Sequence, residues 1–295
     1  MSALIYYITL PFIHALAWLP LSVLYRLSDV LHFLVFRVLG YRRSVVRGNL
    51  ARSFPERGPA ERKAIEERFY RWFCDLIMET LKTLTITAQE VEDMVKVEGR
   101  EVIERYHEQG RSVILVMGHW GNWELGGARF AGMGLHQLYV IYHPLQNKHF
   151  NDLIVRMRTR LGNRLYTMSE TSKAMLRDRH LLTATAFIAD QTPPPERAYW
   201  TTFLDQDTPV FHGTEKIARK LGYPVVYLGI DRPTRGRYVM RFEELVPDPE
   251  RTVDGEISEA HTRRLEADIR SRPEIWLWTH RRWKHGSRPK TAGTL

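Results

Sequence analysis

The chain has 295 residues, 44% hydrophobic and 26% charged, which suffices to bury a sizeable core and excludes both a disordered chain and a polytopic membrane protein. Its single cysteine, Cys74, rules out an internal disulfide, and no Cys/His set has zinc spacing, so the pattern implies no metal and a reducing compartment for the catalytic part. The formal charge of +9 sits at the two ends: seven arginines against Asp29 and Glu56 in residues 1–58, and five basic residues with no acid in 275–295, a distribution that suits an anionic membrane better than a nucleic-acid groove.

From Met1 to Tyr25 there is no charged residue, and the run from Ala3 to Tyr25 is long enough to span a bilayer as one helix. Pro11, Pro20 and His14 leave a re-entrant or interfacial helix open as well. No basic residue precedes Arg26, unlike a cleaved secretory signal. A shorter apolar stretch, Val30 to Leu39, ends in Arg42, Arg43 and Arg47, and the expectation is that it lies along the interface with Arg42 and Arg43 at headgroups. Basic residues on the C-terminal side only place the rest of the chain in the cytoplasm. Residues 1–40 thus read as an anchoring segment and 41–295 as one catalytic domain.

A helix is predicted over 59–87 from the spacing of Ile65, Phe69, Trp72, Phe73, Leu76, Ile77, Thr80 and Leu84, with Cys74 beside this stripe as a small buried residue. After a polar helix near 99–110, the apolar run Ser112–Met117 suits a strand covered on both faces. Similar runs at 137–142, 183–189 and 224–230 alternate with helical stretches near 150–161, 170–177 and 213–221, followed by a strand at 237–245 and a closing helix at 258–270. The alternation predicts an α/β fold, a central mixed sheet flanked by helices.

The stretch Gly118-His119-Trp120-Gly121-Asn122-Trp123-Glu124 falls where a buried strand gives way to a helix, the place where open α/β sheets carry their sites. Gly121 permits a bend and Asn122 is an N-cap candidate, which puts Glu124 in the first helical turn. Across that turn Glu124 is expected to accept a hydrogen bond from one nitrogen of His119, leaving the other to take a proton. With no serine in the set, the nucleophile is expected to be the substrate; the bland alternative is a satisfied histidine beside a helix cap.

His119-Trp120-Gly121-Asn122-Trp123-Glu124 resembles the His-x4-Asp/Glu motif of the bacterial lipid A late acyltransferase family, membrane-bound relatives of the glycerolipid acyltransferases. Further blocks resemble that family in order: Asn49 with Phe54-Pro55, Tyr142-His143-Pro144 with Asn147, Arg158-x-Arg160-x-Gly162, Ala189-Asp190-Gln191, and Trp278-Thr279-His280-Arg281-Arg282-Trp283-Lys284. The resemblance spans roughly 45–290. It implies transfer of a fatty acyl group from acyl carrier protein, or coenzyme A, to a hydroxyl of a lipid A precursor at the inner membrane, with no cofactor. Under it His119 is the general base and Glu124 its orienter, with Arg158 or a backbone N–H at Gly121-Asn122 facing the oxyanion. Asn122, Arg158, Arg160 and Asp190 are the expected substrate-binding residues, since guanidinium groups grip phosphate and Asp190 can hold Arg158 or a sugar. Arg281, Arg282 and Lys284 among Trp276, Trp278 and Trp283 are expected to touch headgroups. An acidic carrier suits the Arg42, Arg43, Arg47 face. The catalytic block leaves another acceptor open, such as an aminoacyl lipid, a pigment ester or a lysophospholipid.

Overall fold

The computed structural model describes residues 2–286. Its centre is a seven-stranded sheet in the order β1-β9-β8-β2-β5-β3-β4, built from β1 (Val95–Glu98), β2 (Val113–Met117), β3 (Gln137–Tyr142), β4 (Arg164–Thr167), β5 (Thr183–Ile188), β8 (Val225–Thr234) and β9 (Arg237–Val246). Strands β8, β2, β5, β3 and β4 run parallel, whereas β9 turns back antiparallel on β8 and β1 pairs parallel with β9, so the sheet is mixed. All five residues of β2 are buried, as expected of a central strand with helices on both faces. A separate antiparallel hairpin, β6 (Ala198–Phe203) and β7 (Gln206–Phe211), packs Phe203 against Trp276.

Helices cover the sheet: α3 (Arg43–Ser53), α4 (Pro59–Lys82), α5 (Ala88–Met94), α6 (Arg100–Glu108), α7 (Trp123–Ala131), α8 (Lys148–Thr159), α9 (Thr171–Arg177), α10 (Gly213–Leu221) and α11 (Glu256–Ser271). The predicted stripe of α4 is buried at Ile65, Phe69, Trp72 and Leu76, but the same face also buries Glu66, Asp75 and Glu79. These carboxylates tie α4 to other elements. Cys74 is fully buried in α4, and burial pushes its thiol up to about 12.

The N-terminal run is not one long helix. It divides into α1 (Ser2–Trp18) and α2 (Leu21–His32), broken at Leu19-Pro20, because Pro20 has no N–H to continue the ladder. At 17 residues α1 is about 26 Å long, short of the roughly 30 Å of a hydrocarbon core. Among the described residues no helix is long and apolar enough to cross a membrane. Pro11, by contrast, is accommodated inside α1.

Helix α2 continues into a widened turn, Phe33–Val38, and packs along α4. Ser28 donates to Asp75 at 2.6 Å, Tyr25 to Glu79 at 2.8 Å, and Lys82 to the carbonyls of Ala17 and Leu19. The outer faces remain apolar and exposed at Leu4, Ile5, Phe12, Trp18, Phe33 and Leu39.

Candidate active site

The register of two adjacent parallel strands builds the site. Met117 of β2 pairs with Ile188 of β5, so His119 and Asp190, each two residues further on, leave neighbouring strand ends side by side. Three contacts hold the Asp190 carboxylate: its Oδ2 takes the His119 backbone N–H at 2.7 Å, its Oδ1 meets the His119 ring Nδ1 at 2.6 Å, and Oδ2 also takes the indole N–H of Trp276 at 2.7 Å. Burial alone would raise the Asp190 pKa, but the His119 charge and these hydrogen bonds outweigh it and hold the carboxyl at about 2. An ionised Asp190 fixes the proton on Nδ1 and leaves Nε2 as the acceptor. Nε2 lies 3.4 Å from the Gln191 side-chain nitrogen, and Trp123 stands edge-on to the ring at 4.7 Å.

The expected His119–Glu124 hydrogen bond is therefore absent, and Asp190 takes that place. Asp190 holds neither Arg158 nor an open sugar position, since its carboxylate is 3% exposed and occupied. Glu124 instead forms a two-pronged pair with Arg158 of α8, Nη2 to Oε1 at 2.5 Å and Nε to Oε2 at 3.0 Å. The first turn of α7 points Glu124 at α8, whereas the bend at Gly121 turns His119 toward β5. Arg158 Nη1 makes no hydrogen bond among the described residues and is left for a ligand.

The bend needs its glycine. Gly121 has φ +74°, and a Cβ there would stand 1.7 Å from the carbonyl oxygen of Ile230. Its N–H is spent on the Ile275 carbonyl at 2.9 Å, which removes it as an oxyanion donor. Asn122 is fully buried, so it is not a substrate contact. Its side chain caps α7 by accepting from the Leu125 N–H at 3.0 Å and donates to Glu79 at 2.7 Å.

His119, Trp123, Glu124 and Arg158 line one wall of a cavity of about 550 Å³, continued by apolar side chains such as Leu138, Val140, Ile188 and Leu228. Tyr142 and His143 also line it, while Asn147 caps α8. Arg160 does not reach the cavity; its guanidinium bonds the Thr83 and Ile86 carbonyls at the end of α4.

The closing block is structural for the most part. Trp276 and Trp278 are buried, and Trp283 is half-buried with its N–H on Thr208 at 2.7 Å, so these rings do not face a headgroup layer. Arg282, expected at headgroups, is 1% exposed, donates to the Pro209 carbonyl and lies over the Phe203 ring; burial draws its pKa down to about 10. Arg281 is exposed, whereas Arg288 and Lys290 lie outside the described residues. Asn49 joins this block to α3 by donating to the Trp278 and His280 carbonyls, and Phe54 packs edge-on against Trp278. At the N-terminal basic cluster Arg42 is exposed but donates to the Thr279 carbonyl, and Arg43 is drawn onto Glu66 at 3.0 Å and the Phe36 ring.

Two residues absent from the predicted site support it: Trp276, which donates to Asp190, and Glu79, which holds Asn122. Glu79 shares a helix face with Trp72 and Asp75, and a carboxylate at that spacing inside an apolar stripe was the available signal.

A base with an orienter, no protein nucleophile beside it, and an apolar cavity at the same strand ends is the arrangement an acyltransferase requires, and the chain is an acyltransferase. It belongs to the family of bacterial lipid A biosynthesis acyltransferases, whose model matches residues 1–285. It is 26% identical over 290 residues to the lipid A biosynthesis palmitoleoyltransferase of Escherichia coli K12, covering 94% of this chain and 89% of the relative. The lipid A biosynthesis lauroyltransferase of the same organism is 26% identical over 275 residues, 90% of this chain and 87% of its own. Lipid A biosynthesis acyltransferase 1 of Shigella flexneri is 23% identical over 243 residues, 80% and 73%.

Proposed function

We propose that this chain is a membrane-associated O-acyltransferase that moves a fatty acyl group from an acyl carrier protein thioester to a hydroxyl of a lipid A precursor, on the cytoplasmic side of the inner membrane. The observation that carries the reading is His119 held by Asp190 with Nε2 turned to a largely apolar cavity. The relatives' names, lauroyl- and palmitoleoyltransferases of lipid A biosynthesis, support the acyl group and acceptor. The exposed apolar faces of α1 and the Phe33–Val38 turn support membrane contact without a spanning helix.

In this mechanism the acceptor hydroxyl donates to His119 Nε2, which takes the proton as the oxygen attacks the thioester carbonyl carbon. Asp190 stabilises the imidazolium through Nδ1–H. Arg158, fixed by Glu124, faces the tetrahedral oxyanion with its remaining N–H groups. Collapse breaks the carbon–sulfur bond, and the departing thiolate takes the proton back from Nε2, leaving ester, thiol and unchanged enzyme. No covalent acyl-enzyme is required.

The test is mass-spectrometric lipid profiling of the source bacterium with and without the protein, complemented by wild type or His119→Ala. Loss of one acyl chain from lipid A, restored by the wild type alone, is the expected result. Unchanged lipid A refutes the assigned acceptor, and a chain missing from another lipid identifies the true one.

A further inference from the structure

The described residues hold a second cavity, of about 420 Å³, that shares no lining residue with the first. Guanidinium groups dominate its wall: Arg68 and Arg71 from α4, Arg232 and Arg235 from the β8–β9 turn, and Arg272. The carboxylates facing them are unevenly spent. Asp75, 3% exposed, takes Arg232 at 2.5 Å and Arg235 at 2.6 Å, and the latter also holds Asp29 at 2.8 Å. Arg272 pairs with Asp231 at 3.1 Å. Arg68 has only Glu274 at 3.9 Å and Arg71 only Glu67 at 3.2 Å, and both are more than half exposed.

Two donors on this wall have no partner among the described residues: the indole N–H of Trp72, a residue 1% exposed, and the Nε–H of Arg232. Buried N–H groups are satisfied in folded proteins almost without exception, so orphaned donors beside surplus positive charge call for an acceptor. A phosphate monoester fits: it carries about two negative charges and several acceptor oxygens but no obligatory donor, and guanidinium forks match it. The surroundings specify the rest of the ligand. Asp29 stands on α2 next to Val30, which is 58% exposed, and Phe33 beyond it is 58% exposed, so apolar surface adjoins the charged cavity.

We propose that this cavity is a phosphate-binding subsite that takes the phosphate monoester of an amphiphile, with the apolar part of the ligand along the exposed face of α2 and the Phe33–Val38 turn. The subsite does not depend on which acceptor the catalytic cavity serves. It nevertheless shares a scaffold with His119: the carbonyl of Arg272 accepts from the Trp120 indole at 3.1 Å, and that of Ile275 from the Gly121 N–H at 2.9 Å. An occupied subsite therefore braces the segment against which the catalytic turn is built.

The experiment is calorimetric titration of the full chain in neutral detergent with dodecyl phosphate, repeated in the presence of inorganic phosphate. Saturable binding is expected in the wild type and should weaken about ten-fold or more in Arg68→Gln/Arg71→Gln, whose exposed side chains can change without loss of fold. Trp72→Phe, which keeps a ring and removes the orphaned N–H, should weaken it as well. Competition by inorganic phosphate shows that the free anion suffices as ligand; its failure to compete assigns the site to a lipid headgroup. No saturable binding, equal affinity in wild type and Arg68→Gln/Arg71→Gln, or binding that falls with Arg158→Gln instead, overturns the proposal.

Discussion

Replacement of Asp190 by Asn is the sharpest test of the catalytic geometry. Two N–H groups, the His119 backbone and the Trp276 indole, converge on Oδ2, so the substituted amide must keep its carbonyl there and present its NH2 to His119 Nδ1. The imidazole then accepts at Nδ1 and carries its proton on Nε2, the atom that must receive the acceptor's proton. Wrong tautomer and lost imidazolium stabilisation together should lower kcat by about 10²–10⁴, or about 3–5 kcal/mol of barrier, with the fold intact. The assay is transfer of a labelled acyl chain to lipid acceptor in mixed micelles, run beside His119→Ala and the double variant. Because both residues serve one proton transfer, the double variant should be little slower than His119→Ala. A near-normal rate for Asp190→Asn, or multiplicative losses in the double variant, refutes the pairing. Stability supplies a second readout: a carboxyl held at about 2 in the fold and near its ordinary 3.8 when unfolded contributes about 2 kcal/mol that is present above pH 4 and lost as pH falls toward 2. Acid unfolding of Asp190→Asn should lack that contribution.

The Glu124–Arg158 pair predicts that Glu124→Gln and Arg158→Gln each slow transfer about 10²-fold, with a coupling of about 1–3 kcal/mol in the double-variant cycle; full additivity would show that they act apart. Gly121→Ala must move the Ile230 carbonyl and adopt a left-handed backbone, so it should cost about 3 kcal/mol or more in thermal unfolding together with most of the activity; an unchanged melt would deny that the bend is needed. Glu79→Ala orphans the Asn122, Tyr25 and Tyr238 donors and should destabilise by about 3 kcal/mol or more, read by denaturant unfolding, whereas a loss below about 1 kcal/mol would show that the node does not bear on the fold.

Periodicity located the elements that bury their own side chains. The α4 stripe and the five-residue run of β2 follow from hydrophobic spacing alone, and the alternation of strands and helices fixes an α/β class. The short strands β1 and β4 and the β6–β7 hairpin escaped, because four to six half-exposed residues carry little pattern. The orienter of His119 escaped for a different reason. Glu124 is near in sequence, but Asp190 is near in space only once β2 lies beside β5 in the Met117–Ile188 register, and nothing local to either strand states that pairing. Similarly, the charge-free run to Tyr25 reads as one span by composition, whereas the missing N–H of Pro20 divides it. Among the arginines, charge alone did not separate Arg158 at the cavity from Arg160 on backbone carbonyls, or exposed Arg281 from buried Arg282, since that depends on which helix face or turn each occupies.

The catalytic turn is held from two sides by polar groups that have no contact with the reacting atoms. On one side Asn122, which caps α7, donates to Glu79, and Glu79 also receives the hydroxyls of Tyr25 on α2 and Tyr238 on β9. Burial raises the Glu79 pKa even against these three donors and the nearby Arg232. On the other side the Pro273–Trp276 segment binds the turn through the Trp120 bridge, the Gly121 N–H and the Trp276 indole on Asp190. The first side reaches α2, whose outer face is apolar, and the second lines the arginine-rich cavity. A displacement of α2 at a lipid surface would thus be transmitted to Asn122 through one buried carboxylate, and an anion among the arginines would be felt at Gly121 through one carbonyl. His119 itself needs only Asp190 to be a base; the turn that aims it is where surface, ligand and catalysis meet.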